Sequence, residues 1–151
     1  MRLISIFLAP APAAPMREVP EAEAEVGLGL RGDRYAAGAG TFSRTVGSGR
    51  HVTLIEIEAL DAARRDYDVA LAPALTRRNL VVAGVALNHL IGRELTIGEV
   101  RLVGKRLCEP CDHLEALAGV AGARKALIHR GGLRCEIVRG GTLRPGDAIV
   151  V

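Results

Sequence analysis

Glu94-Leu-Thr-Ile-Gly-Glu-Val-Arg-Leu-Val-Gly-Lys105 leads through Arg106 into Leu107-Cys-Glu-Pro-Cys-Asp-His-Leu-Glu115. The first part reads as two strands, Glu94 to Ile97 and Val100 to Lys105, folded back around Gly98-Glu99. The second is a Cys-x-x-Cys at a strand end, ahead of a short helix near Asp112 to Leu117. Strands joined by a tight turn, with no crossover helix between them, argue for an antiparallel sheet. A strand end is also where a thiolate can be exposed to a metal or to another sulfur.

Working outward, the same short-strand pattern recurs. Arg2 to Leu8 reads as a strand, followed by a Pro/Ala-rich connection to Pro15, where a sheet interior is excluded. Met16 to Val19 and Ala22 to Val26 are further candidates; Glu21, Glu23 and Glu25 alternate with Ala22, Ala24 and Val26. Gly27 to Tyr35 is a glycine-rich loop, and a Gly/Ser/Thr-rich loop continues to Arg50 with Arg44 and Arg50 as its charges. His51 to Ile55 reads as a strand. Glu56 to Arg65 reads as a helix burying Ala59, Leu60 and Ala63, with Thr53 and Glu56 spaced as a capping box. Asp66 to Leu75 is a connection, Leu80 to Val82 a buried strand, and Val85 to Leu90 a turn. A second helical stretch, Ala121 to His129, stops at Gly131-Gly132. Leu133 to Arg139, Thr142-Leu143 and Ala148 to Val151 close the chain as β. The expectation is one domain, residues 1–151: mainly β, barrel-like, mostly antiparallel, with two or three peripheral α-helices.

Composition excludes several classes. Aromatics are 3% of the chain and Trp is absent, which argues against a nucleic-acid binder built on stacking platforms. A net charge of +3, carried mainly by arginine, suits a small anionic ligand better than a nucleic-acid backbone. Three cysteines make no disulfide framework, so a reducing, cytoplasmic setting is expected. Met1 to Pro15 has a signal-like outline, but its apolar run falls short of the usual ~7–15 residues and reads better as a strand. No stretch approaches the ~18 apolar residues of a membrane span.

Four constellations carry chemistry. Cys108 and Cys111 could be half of a zinc site, with His113, His129 or Cys135 completing it. They could instead be a redox pair, or one of them a lone soft ligand or sulfur acceptor. Thr76-Arg77-Arg78-Asn79 concentrates donors suited to phosphate or carboxylate and to a heterocycle edge. Gly29-Leu-Arg-Gly-Asp33-Arg34-Tyr35 could line an anion site, or Asp33 could pair with an arginine to shape the loop. His129-Arg130 ahead of Gly131-Gly132 matches a helix C-terminus, while Arg134 on the next strand could point into a pocket. There is no Gly-x-Ser-x-Gly elbow to support a hydrolase. His51, opening a strand, reads as structural.

Taken in order, Gly29-Leu30-x-Gly32-Asp33-Arg34-Tyr35, Val52 to Ile55, Arg77-Arg78-Asn79-Leu80-Val81-Val82, Leu87-Asn88-x-Leu90-Ile91-Gly92, Cys108-Glu109-Pro110-Cys111-x-x-Leu114-Glu115 and His129 to Gly132 resemble the MOSC domain, named for the C-terminal domain of molybdenum cofactor sulfurases. The resemblance covers about Leu3 to Val151. It implies a barrel-like fold that binds molybdenum cofactor (molybdopterin) or carries sulfur for metal-sulfur chemistry. Cys111 matches the cysteine that serves as molybdenum ligand or sulfur acceptor, and Cys108 is the more variable partner. Arg77, Arg78 and Asn79 match the segment that holds the anionic pterin cofactor, with Arg34 or Arg134 assisting. His51 stands where relatives often have Gln and receives no role.

Three functions are implied. The first is oxygen-atom removal from N-hydroxylated substrates at a Cys111-ligated molybdenum, with a separate electron donor. The second is a sulfur carrier holding a persulfide on Cys111, loaded by a separate cysteine desulfurase. The third is a non-catalytic structural zinc domain built on Cys108 and Cys111. No nucleic-acid or membrane partner is expected.

Overall fold

The computed structural model describes residues 1–40 and 51–151. The part of the expected Gly/Ser/Thr-rich loop that carries Arg44 and Arg50 lies outside the described residues.

The strands are β1 (Arg2–Leu8), β2 (Arg17–Val19), β3 (Ala22–Glu25), β4 (Gly29–Leu30), β5 (Val52–Glu56), β6 (Leu80–Ala83), β7 (Glu94–Ile97), β8 (Val100–Leu107), β9 (Leu133–Arg139), β10 (Gly141–Leu143) and β11 (Ile149–Val150). The helices are α1 (Ile57–Tyr67), α2 (Asp112–Ala118) and α3 (Ala123–Ala126), with short 3-10 turns at Pro73–Thr76 and Leu87–Leu90. Eight strands form one sheet in the order β11-β7-β8-β9-β5-β6-β1-β2; β10, β3 and β4 form a second. Every pairing between these strands is antiparallel except β5 with β6, whose strands are joined through α1. Parallel neighbours need such a crossover. The expected hairpin is present: Ile97 lies opposite Val100 and Glu94 opposite Val103.

Alternation along the strands sorts side chains into two cores. Leu54, Leu80, Val82, Leu102, Leu133 and Ile137 face the second sheet, where Ala22, Ala24, Leu30 and Leu143 meet them. Ile55 and Val81, one residue out of step, face the helices. There Ala59, Leu60 and Ala63 of α1 pack with Leu114 of α2 and Leu127. This is the α1 face expected from its apolar spacing.

Two expectations are corrected. The large sheet is not closed into a barrel. The outer edge of β1 is divided: Ile6 to Leu8 pair with β2, while Arg2 makes only an isolated bridge to Ala148. Backbone bonds from Leu3 to Asp147 and from Ile149 to Met1 support that bridge, but no continuous ladder forms. Second, Thr53 is not a helix cap. It sits inside β5, where its hydroxyl donates to Asn79 Oδ1 at 2.9 Å. The helix starts at Ile57, because Val52 to Glu56 are committed to ladders with β6 and β9.

Candidate functional site

β8 ends at Leu107 and α2 starts at Asp112, so the Cys-Glu-Pro-Cys segment is a short corner between a strand and a helix. Cys111 takes extended backbone dihedrals, and its carbonyl accepts the first helical N–H groups, from Leu114 and Glu115. Its thiol is exposed, whereas Cys108 is 2% exposed. Cys108 is held by its backbone: its N–H donates to Gly132 at 2.7 Å. A side chain at Gly131 would meet the Cys108 carbonyl, and one at Gly132 would collide with the carbonyl of Leu54. These glycines let three backbone segments close up beneath the corner. The third cysteine, Cys135, lies in the core, where burial first and Cys108 second push its thiol far above the ordinary range. It is therefore a small apolar side chain here.

Arg78 fastens the corner from the other side. It is 6% exposed, and its Nε donates to Gly131 at 2.7 Å, its Nη1 to Thr76 at 2.8 Å and its Nη2 to Cys108 at 2.7 Å, all to backbone carbonyls. Arg77 has left-handed backbone (φ 63), uncommon for a residue with a side chain. Its guanidinium donates to the carbonyls of Pro12 and Ala14. Desolvation, then the charge of Arg34, holds its pKa below the ordinary arginine value. Arg34 is also buried and donates to Asp33 Oδ1 at 3.2 Å. Asp33 in turn accepts the N–H groups of Ala9 and Tyr35. The loop-shaping pairing of Asp33 with an arginine is thus present.

Arg34, Arg77, Arg78, Arg134, Cys108 and Cys111 line one cleft, of about 600 Å³ with its open mouth included. Pro12, Tyr35, Thr53, Glu109, His113, Leu114 and Leu117 complete the wall. Asn79, grouped with the two arginines in the sequence, is not in the lining. It is 1% exposed and bridges three strands: its Oδ1 accepts from Thr53, and its Nδ2 donates to Phe7 at 3.2 Å. Of the arginines, only Arg34 has a carboxylate partner among the described residues. Arg77 and Arg78 are satisfied by carbonyls, and the Arg134 guanidinium makes no hydrogen bond or ion pair there. Four arginines against Glu109 in the wall and Asp33 behind Arg34 leave the cleft with an excess of positive charge.

Sequence reasoning missed some of the wall. Tyr35 stood in a quoted motif but received no role; the Arg34 guanidinium lies 4.9 Å from its ring centre. Thr53 was read as a cap. Pro12 carried no signal, since it reaches the cleft only through the path of the loop after β1. The His129-Arg130 turn faces elsewhere: Arg130 reaches Asp66 at 3.2 Å, and the His129 N–H donates to Glu109 at 3.0 Å. His51 Nδ1 accepts the N–H of Ile137, a structural role. Among the described residues no three His, Cys, Asp or Glu side chains gather as a metal set, and no helix is long and apolar enough to cross a membrane.

Comparison with known structures finds the same fold. The YuaD protein from Bacillus subtilis matches with a TM-score of 0.80 at 17% identity, over 98% of this chain and 93% of that one. YiiM from Geobacillus stearothermophilus matches with a TM-score of 0.73 at 14% identity, over 99% and 73%. YiiM from Escherichia coli matches with a TM-score of 0.68 at 18% identity, over 99% and 68%. No curated protein matches in sequence. The MOSC domain model matches residues 41–150, most of the chain, and includes the cysteine corner, Arg77, Arg78 and Arg134. The chain belongs to the MOSC domain family.

Proposed function

We propose that the cleft binds molybdenum cofactor, with Cys111 as the protein ligand to the metal and the arginines holding the anionic pterin. The observation that carries this reading is the meeting of an exposed thiol with four arginines, of which only Arg34 has a carboxylate partner among the described residues. A phosphorylated pterin supplies the missing negative charge, and guanidinium forks suit its phosphate. A thiolate is a soft donor of the kind molybdenum accepts. Burial first and the charge of Arg34 second hold the Arg77 pKa down, and an anion in the cleft would offset both.

Each residue then has a task. Cys111 presents its sulfur at the mouth. Arg77 and Arg134 hold the anionic end, with Arg34 behind them. Arg78 lines the cleft, but its main work is positioning: three carbonyl bonds fix the corner that carries Cys111. Asn79 acts beneath the site, tying β5, β6 and β1 together. Leu114 and Leu117 offer an apolar wall. When bound, the cofactor supplies two-electron removal of oxygen from an N-hydroxylated substrate, with electrons from a separate donor.

The test compares Cys111→Ser and Cys108→Ser purified from a molybdenum-replete host. Loss of molybdenum in the first, with retention per folded chain in the second, supports the reading; equal loss from both contradicts the choice of cysteine. A second reading, a persulfide carrier, is favoured by the exposure of Cys111 beside the buried Cys108. Under it, incubation with a cysteine desulfurase adds a sulfur mass to wild type and not to Cys111→Ser.

A further inference from the structure

At the far end of the β8–β9 ribbon Arg101 and Arg139 are register partners, and Arg101 there has a carboxylate neighbour; at the end beside the cleft the facing arginines have none among the described residues. Arg101 lies 3.7 Å from Glu94, and Lys105 lies 3.0 Å from Glu136. Arg106 and Arg134 are direct register partners on the two strands. Neither side chain makes an ion pair or hydrogen bond among the described residues, and residues 41–50 contain no acid. Residues directly opposite stand about 4.5–5.5 Å apart at Cβ, and like charges there destabilise the sheet. A register shift between Gly104 and Arg106 removes Lys105 from the pairing and sets Arg106 against Arg134. Arg134 is in turn the register partner of Thr53 across β5, and both line the cleft. Thr53, Arg134 and Arg106 therefore form one row across three strands, running outward from the cleft. Arg106 is exposed and not itself part of the cleft wall.

The geometry points to a phosphate subsite at the β8 side of the cleft, in which Arg106 and Arg134 together clamp one phosphate monoester. Two guanidinium forks facing one dianion convert a repulsive pair into charge-assisted, bidentate contacts. The phosphate has two possible sources, the pterin's own phosphate or a phosphorylated substrate. Only the first source rests on the cofactor reading above.

The experiment titrates the full chain, free of cofactor, with inorganic phosphate and with phenyl phosphate by calorimetry. Arg106→Gln and Arg134→Gln should each weaken binding by about tenfold to a hundredfold, the worth of charge-assisted hydrogen bonds. Arg139→Gln, on the same ribbon but at its far end, should leave binding unchanged. Without phosphate, Arg106→Gln should melt at the same temperature as wild type or higher, since it relieves repulsion; this separates lost binding from lost folding. Undiminished phosphate affinity in Arg106→Gln, or equal loss in Arg139→Gln, overturns the subsite. Pterin content of Arg106→Gln from a molybdenum-replete host then assigns the source. Loss of pterin marks the cofactor's phosphate, and retained pterin marks a phosphorylated substrate. If wild type itself carries no pterin while the arginine-dependent phosphate binding persists, the cofactor reading fails and the subsite stands.

Discussion

Arg78 Nη2 donates a 2.7 Å hydrogen bond to the carbonyl of Cys108, a residue thirty positions further along the chain. With the bonds to Gly131 and Thr76, it places one buried guanidinium at the junction of three segments. Arg78→Met should therefore leave three carbonyls without this donor and cost about 3 kcal/mol or more, at roughly 1–3 kcal/mol per unsatisfied buried group. Arg78→Lys should recover little, because an ammonium cannot span the same fork. Urea denaturation of both variants checks this.

The three thiols should separate cleanly in reactivity. Native protein should titrate one cysteine per chain with a disulfide reagent, and denatured protein all three, because Cys108 and Cys135 are buried and Cys111 is exposed. Raising the pH should not recruit Cys135, whose thiol is held protonated by burial. Mass mapping of the labelled peptide identifies the residue.

Asp33→Asn should be strongly destabilising. The carboxylate faces Arg34 at 3.2 Å while accepting two backbone N–H groups, and it is 1% exposed. Breaking a buried pair by removing one charge typically costs about 3–5 kcal/mol. Thermal melting of the variant, with pterin binding measured alongside, should show both properties fall together.

Glu56 gives the fold a pH dependence of defined sign. Burial is the main cause that raises its pKa above the ordinary 4.5; the N–H of Leu87 partly offsets it. A carboxyl with a raised folded-state pKa contributes stability that is present below the unfolded value and lost as pH rises through the folded one. Glu56→Gln keeps an oxygen for Leu87, so it should stabilise the protein at neutral pH. The advantage should fade as pH falls through the raised folded-state value and be gone below about 4.5. Denaturation midpoints across that range test it.

Much of the architecture was legible because strands carry local signals. The alternation of Glu21 to Val26, the Gly98-Glu99 turn and the apolar runs of β5, β6 and β8 each announced an element within a few residues of its place. Thr53 shows the limit: its spacing to Glu56 fits a helix cap, and only pairing with β6 and β9 makes it a strand residue. Sheet closure was likewise out of reach, since it depends on how β1 divides its edge between distant segments. At the site, residue types were readable but roles were not. Arg77, Arg78 and Asn79 are adjacent, yet the first two line the cleft, the second also clamps the corner, and the third lies beneath. Side-chain direction separates them, and the left-handed backbone at Arg77 has no mark in the sequence.

Metal and pterin analysis of the protein purified from a molybdenum-replete host tests the central claim most directly. The account predicts molybdenum and a phosphorylated pterin in equal amounts, both near one per chain, released together on denaturation. Zinc at that stoichiometry, with neither molybdenum nor pterin, would contradict it.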